Sequence, residues 1–173
     1  MTRPVLVTGS AGFIGFHTAL RLLARGEQVV GLDNMNAYYD VSLKAARLAQ
    51  LQDHPNYHHH HLDLADREGM AALFADARPD RVVHLAAQAG IRYSVENPET
   101  YVDSNIVGFL SVLQGCRDVG VGHLVFASTS SAYGANGALP YSVKQGVAHP
   151  LNVYSATKIA NEAMAHAYAY VFG

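Results

Sequence analysis

The amino-acid sequence predicts an α/β fold, with one doubly wound parallel sheet, strands in the order 3-2-1-4-5, and helices on both faces. Two observations predict it. Short apolar runs alternate five times with longer segments whose apolar residues recur at helical spacing. The short runs are apolar almost throughout, the pattern of strands buried on both faces, not of a half-solvated antiparallel sheet.

The elements follow in order. Residues 4–8 (PVLVT) form a first strand ending at Gly9. Residues 13–25 carry apolar side chains at helical spacing and stop at Gly26, a helix-ending signal. Residues 28–33 (QVVGLD) give a second strand, and residues 42–52, rich in Ala and Leu, a second helix. Residues 58–62 give a weaker third strand that holds His58 to His61. A strand points His58 and His60 to one face and His59 and His61 to the other. A polar strand with exposed histidines accounts for the tract better than metal binding, and no metal site is expected. The tract is internal, which speaks against an affinity tag. Asp66 caps a helix running to about residue 77, and residues 80–86 (DRVVHLA) form the fourth strand. Pro98 opens a long helix to about residue 119, in the first turn where its missing N–H costs little. Residues 123–128 (HLVFAS) are the fifth strand, and residues 152 to about 172 the last helix. Neither repeats nor long linkers interrupt the pattern, so residues 1–173 read as one domain.

Composition excludes several classes. A net charge of −2 supplies no basic field for nucleic acid. No apolar run approaches the roughly 20 residues of a membrane span. The N-terminus lacks the long apolar core and cleavage site of a signal peptide. The lone Cys116 cannot form an internal disulfide, and a cytoplasmic location is the simplest reading. Charged residues make up 15%, against about 25% in a typical domain. Such a sparse surface is expected to be covered in part by something else.

After the first strand comes Gly9-Ser10-Ala11-Gly12-Phe13-Ile14-Gly15, a G-x-x-G-x-x-G loop opening a helix. Glycines let the chain turn sharply and let a diphosphate approach the helix N-terminus, where free N–H groups and the helix dipole favour anions. Asp33 ends the next strand and is placed to accept hydrogen bonds from adenosine ribose hydroxyls. It would repel a 2′-phosphate. No Arg or Lys follows it closely, since Asn34 and Met35 come next, so NAD is expected over NADP. Asp63 and Leu64 follow the third strand, where a short acid could meet the adenine amino group. Leu85, Ala86 and Ala87 end the fourth with small residues that let a cofactor lie near the backbone.

Tyr154 and Lys158 stand four apart, on one face of a helix. An ammonium beside a phenol stabilises phenolate and makes Tyr154 a base at neutral pH. A hydroxyl-rich run, Ser128-Thr129-Ser130-Ser131, precedes them and can hydrogen-bond a substrate oxygen.

Together these motifs resemble the extended short-chain dehydrogenase/reductase family, with its Rossmann fold. Several strings are similar to NAD-dependent UDP-glucuronate 4-epimerases: GFIGFH at 12–17, LDNMNAYYDVSLK at 32–44, HLAAQAGIRYSVENPETYVDSNIVGF at 84–109 and NVYSATKIANE at 152–162. The resemblance implies that Tyr154 removes the sugar C4 hydroxyl proton while hydride passes to NAD⁺. The 4-keto sugar then rotates and hydride returns to its other face. Thr129 is implied as the hydroxyl partner of Tyr154, with Lys158 also anchoring the nicotinamide ribose. The implied cofactor set is Gly9, Gly12, Phe13, Ile14, Gly15, Asp33, Asn34, Asn36, Asp63, Leu64, Leu85, Ala86, Ala87, Asn105, Ser128, Tyr154 and Lys158. Gln88, Arg92 and Ser130 are implied on the substrate side, with Arg92 suited to a uronate carboxylate.

Related 4,6-dehydratases place an Asp-Glu pair directly after the Thr, and related decarboxylases a Glu two residues after it. Here Ser130 and Ser131 stand there, which favours an epimerase. UDP-glucose or UDP-N-acetylhexosamine are the alternative substrates. Family members continue past the Tyr/Lys helix into a substrate domain, which this chain is expected to lack. It is therefore expected to bind NAD but to turn over sugar nucleotides poorly. Helices 98–119 and 152–172 are expected to pair with their copies in a homodimer.

Overall fold

The computed structural model describes residues 3–173. It comprises two compact units: the chain up to Ala86 with Ser111–Ala127, and Ala87–Leu110 with Ser128–Gly173.

The first unit holds the sheet, five parallel strands in the order β3-β2-β1-β4-β5. They are β1 (Val5–Thr8), β2 (Val29–Asp33), β3 (Tyr57–His61), β4 (Arg81–His84) and β5 (His123–Phe126). Val5 to Thr8 pair in register with Val29 to Leu32 on one side and Arg81 to His84 on the other. Alternation along β1 divides the core between the sheet's faces. Leu6 packs with Val30, Leu32 and Val82 against α3 (Arg67–Ala77) and Val112. Val5 and Val7 pack with Val29 and Tyr57 against α1 (Phe13–Leu23) and Leu51 of α2 (Val41–Gln52). Helices therefore cover both faces, as the sequence pattern requires.

Local chemistry sets the ends. The Asp40 carboxylate accepts from Ser42 N to start α2, and Asp66 accepts from Gly69 N to start α3. The chain leaves α1 through Gly26, at φ +80°. β4 stops at His84, two residues before the sequence suggests. There Leu85 N and Ala86 N turn to the Thr8 hydroxyl, each at 3.1 Å. β5 likewise stops at Phe126, short of Ser128.

The histidine tract lies in edge strand β3. His59 is half-buried, and burial holds its imidazole below the ordinary value. Its Nδ1 lies 3.3 Å from the Tyr57 hydroxyl, and His61 Nε2 lies 2.9 Å from Asn34 O. Among the described residues no group of three or more His, Cys, Asp or Glu could hold a metal ion.

The second unit holds two short helices, α4 (Tyr93–Glu96) and α5 (Pro98–Tyr101), a π-helical segment (Val102–Val107), the start of α6 (Gly108–Val119), a 3-10 turn (Ser130–Tyr133) and α7 (Val153–Phe172). The helix expected to run unbroken from Pro98 thus carries a π-turn around Asn105, and α4 precedes it. Pro98 separates α4 from α5 because it disfavours helical backbone at Asn97, which lies at φ −135°. α7 starts where the Asn152 side chain accepts from Ser155 N.

Gly31, mid-strand in β2, makes room for a buried Tyr57 ring whose hydroxyl donates to Ser10 Oγ at 3.0 Å. Burial pushes that phenol up to about 12. A Cβ on Gly31 would stand 2.0 Å from the Tyr57 oxygen and 2.7 Å from Ser10 Oγ. Gly31→Ala is expected to cost about 1–3 kcal/mol through overpacking, read from the urea midpoint at unchanged slope. An unchanged midpoint would show that Tyr57 relocates freely.

Candidate functional site

The glycine loop closes on itself and on β4. Gly9 has φ +72°, and a Cβ there would lie 2.8 Å from Ala86 N. A Cβ on Gly15 would lie 2.0 Å from Gly9 O. Both glycines therefore allow backbone-to-backbone approach that no other residue permits. Gly12 caps α1 without a side-chain bond, so the first-turn N–H groups are not capped by their own cap residue. Phe13 and Ile14 are exposed at the helix start. A helix N-terminus of this kind, approached by nothing bulkier than glycine, fits a diphosphate.

The Thr8 hydroxyl accepts the N–H groups of Leu85 and Ala86, leaving its own proton for His84 Nδ1 at 2.8 Å. That assignment makes Nδ1 the acceptor. It fixes the start of the Leu85–Ala87 stretch beside Gly9.

Asp33 is buried at the end of β2. Its Oδ2 accepts from Ala11 N in the loop at 3.2 Å, and its Oδ1 from Met35 N at 2.9 Å. No cation follows Asp33 closely in sequence, but space overrides sequence here. Lys44, eleven residues on in α2, lies 3.4 Å from Asp33 Oδ1, and both side chains are buried. Asp33 thus has a cation beside it in space, although none follows it closely in sequence. Lys44 Nζ also donates to Asn36 Oδ1 at 3.3 Å. Asn34 Nδ2 donates to Asp63 Oδ2 at 2.7 Å, which brings the ends of β2 and β3 together. Leu64 sits in the apolar core, so only its backbone is left to meet a ligand. The residues expected around adenosine are therefore gathered in this one unit.

In the second unit Tyr154 is half-exposed and packs edge-on to Tyr101, with centroids 6.1 Å apart. Lys158, one turn on, is 3% exposed. Burial lowers its ammonium to about 8, with the Glu162 carboxylate opposing that shift. Glu162, whose carboxylate accepts from the Ser128 hydroxyl, is not among the residues the sequence motifs point to. Spacing offered a signal, since Glu162 stands one turn after Lys158 as Lys158 does after Tyr154. Thr129 Oγ1 accepts from Ser131 N at 3.2 Å, which leaves the hydroxyl proton to donate. Ser130 opens the 3-10 turn and is exposed, as is Arg92 ahead of α4.

Asn105 is 1% exposed. Its Oδ1 accepts from Gln88 N at 2.8 Å, and its Nδ2 donates to Gln88 O and Thr157 Oγ1, each at 3.0 Å. The amide thus ties Gln88 to Thr157 of α7. Gln88 is buried too, and its Nε2 has no hydrogen-bond partner among the described residues.

Fold and residues together define an α/β protein with a glycine loop at a helix start, a strand-end acid and a Tyr/Lys pair. The chain belongs to the family described as GDP-mannose 4,6 dehydratase, whose model matches residues 6–173. It is 46% identical over 167 residues to a probable UDP-glucuronate 4-epimerase of Rhizobium meliloti, covering 96% of this chain and 49% of that protein. It resembles the crystal structure of the Bacillus cereus UDP-glucuronic acid 4-epimerase in complex with UDP-glucuronic acid and NAD, with a TM-score of 0.88 and 30% identity, covering 98% of this chain and 53% of that one. The Thermotoga maritima UDP-glucose 4-epimerase gives a TM-score of 0.87 and 32% identity, covering 98% and 52%. The chain spans about half the length of these proteins.

The depressed Lys158 has a consequence for stability. The unfolded chain holds that proton up to about 10.5, the folded chain only to about 8. Between those values the unfolded state binds more protons, so stability rises with pH through that window. Relative to Lys158→Met, the wild type is expected to gain about 3 kcal/mol on going from pH 7 to above pH 10.5. Paired urea titrations at the two pH values check it, and a constant gap would contradict the buried ammonium.

Proposed function

We propose that this chain carries the cofactor-binding and proton-transfer residues of a NAD-dependent nucleotide-sugar 4-epimerase, with UDP-glucuronate as substrate and residues 1–173 as its Rossmann domain. The observation that carries the reading is a buried Lys158 one turn from a half-exposed Tyr154.

When bound, NAD⁺ supplies the acceptor and donor of hydride. The chain's own groups do the rest. The first turn of α1 receives the diphosphate, and Asp33 accepts from the adenosine ribose hydroxyls. Lys158, charged at neutral pH yet easily deprotonated, stabilises the Tyr154 phenolate. The phenolate takes the sugar C4 hydroxyl proton as hydride leaves C4. It returns that proton once the 4-keto sugar has presented its other face. Thr129 donates its remaining hydroxyl proton to the substrate oxygen. The 3-10 turn carries Ser130 and Ser131 and no carboxylate, which supports epimerisation over dehydration. The exposed Arg92 suits the uronate carboxylate.

UDP-glucose is the second reading, favoured by the likeness to the Thermotoga enzyme. A NAD-binding role without independent turnover is the third, supported by the half-length match to relatives. We also place the protein in the cytoplasm as a homodimer through helices 98–119 and 152–172. Support comes from the exposed Tyr170, Val171 and Phe172 at the end of α7 and from the lone Cys116. Among the described residues no helix is long and apolar enough to cross a membrane.

NAD titration followed by NMR of the sugar C4 signal tests the reading. NAD is expected to bind, and where UDP-glucuronate is turned over, Tyr154→Phe is expected to lower the rate about 10²-fold or more. Absence of NAD binding would overturn the reading. Turnover of UDP-glucose with none of the uronate would move it to the second.

A further inference from the structure

Lys44 is the buried cation that the proposed reaction leaves unused. It is 6% exposed, and an ammonium that deep needs partners. It has two, Asp33 Oδ1 at 3.4 Å and Asn36 Oδ1 at 3.3 Å. An ammonium has three protons, so one donor remains. Asp33 also accepts from Ala11 N and Met35 N, so three of its roughly four lone-pair sites are engaged. The carboxylate is thereby fixed in orientation and its charge is balanced by Lys44. A phosphate brought to this corner meets a neutral pair, not a bare anion. Arg47 stands one turn on in α2, its guanidinium 5.8 Å from the Phe13 ring centre and 3.5 Å from Ala11 O.

We propose that Lys44 is a positioning and specificity residue of the adenosine corner. It holds the Asp33 carboxylate toward the ribose hydroxyls, and it is a latent 2′-phosphate ligand masked by Asp33. Exclusion of NADP then rests on Asp33 engaging Lys44, and not on the absence of a cation. The proposal rests on the NAD reading of this site.

Its test is a titration of the 173-residue chain with NAD and with NADP, read by fluorescence, with circular dichroism confirming that each variant is folded. Asp33→Asn unmasks Lys44. It is expected to weaken NAD and strengthen NADP, moving their affinity ratio toward NADP by about tenfold or more, the worth of one charge-assisted hydrogen bond. Adding Lys44→Met to Asp33→Asn removes both charges, leaves no buried ion unpaired, and is expected to abolish the gain for NADP. Adding Arg47→Gln to Asp33→Asn is expected to keep it. Lys44→Gln alone leaves Asp33 uncompensated and is expected to shift the ratio further toward NAD, with Lys44→Arg restoring the wild-type ratio. A merely structural Lys44 would alter stability without moving that ratio. Equal NADP affinity in Asp33→Asn with and without Lys44, or a gain that disappears with Arg47 instead, overturns the proposal while the NAD reading stands. If Asp33→Asn fails to fold, an unchanged ratio in Lys44→Gln overturns it equally. A wild-type chain that binds neither dinucleotide overturns both.

Discussion

The corner where the glycine loop meets β2 and α2 depends on one carboxylate. Asp33 is where the glycine loop, the end of β2 and the fourth residue of α2 meet, through Ala11 N, Met35 N and Lys44 Nζ. A buried acid is tolerable only when its oxygens are engaged and its charge is balanced. Here satisfying that condition also builds the site. The N–H from Ala11 holds the loop against the sheet, and Lys44 draws α2 over it. Gly9 and Gly15 then matter for what they do not carry. Any Cβ at either would force apart the backbone contacts that let the loop lie this low.

In the second unit an amide takes the corresponding place. Asn105 is neutral, so it needs no counter-charge, and it reaches Gln88 and Thr157 at once. Asn161 adds a bond to Asn105 O at 2.6 Å. A regular α-helix would commit that carbonyl to the amide four residues on. The π-turn over Val102–Val107 contains Asn105, whose carbonyl also accepts from α7. Local irregularity in the helix and the position of the Tyr154/Lys158 helix are thus linked through one residue.

The sheet was legible because apolar runs on both faces leave few alternatives, and the helix starts because Asp66 and Asn152 announce themselves. What escaped the sequence depends on distance in space. Lys44 meets Asp33 only after α2 has packed, and Glu162 meets Ser128 only after α7 has folded back on the segment that carries it. The stop of β4 at His84 needed the Thr8 hydroxyl on a neighbouring strand. Asn105 was visible as a polar residue in an apolar helix, but its partners were not. Periodicity reports which face a residue occupies, and nothing in periodicity reports a long-range polar partner.

The two buried lysines show how burial divides into two uses. Lys44 has a carboxylate at 3.4 Å and a side-chain carbonyl at 3.3 Å, so its charge is held in place. Lys158 has the Glu162 carboxylate only as an opposing influence while desolvation dominates, and its proton is loosened toward about 8. Glu162 is itself hydrogen-bonded by Ser128, which draws its negative charge away from full service to the ammonium. A fixed cation suits recognition, because a ligand must meet the same field each time. A loosened one can exchange its proton closer to neutrality than an ordinary lysine does. The two lysines differ in whether an ion pair or desolvation dominates the surroundings of the charge.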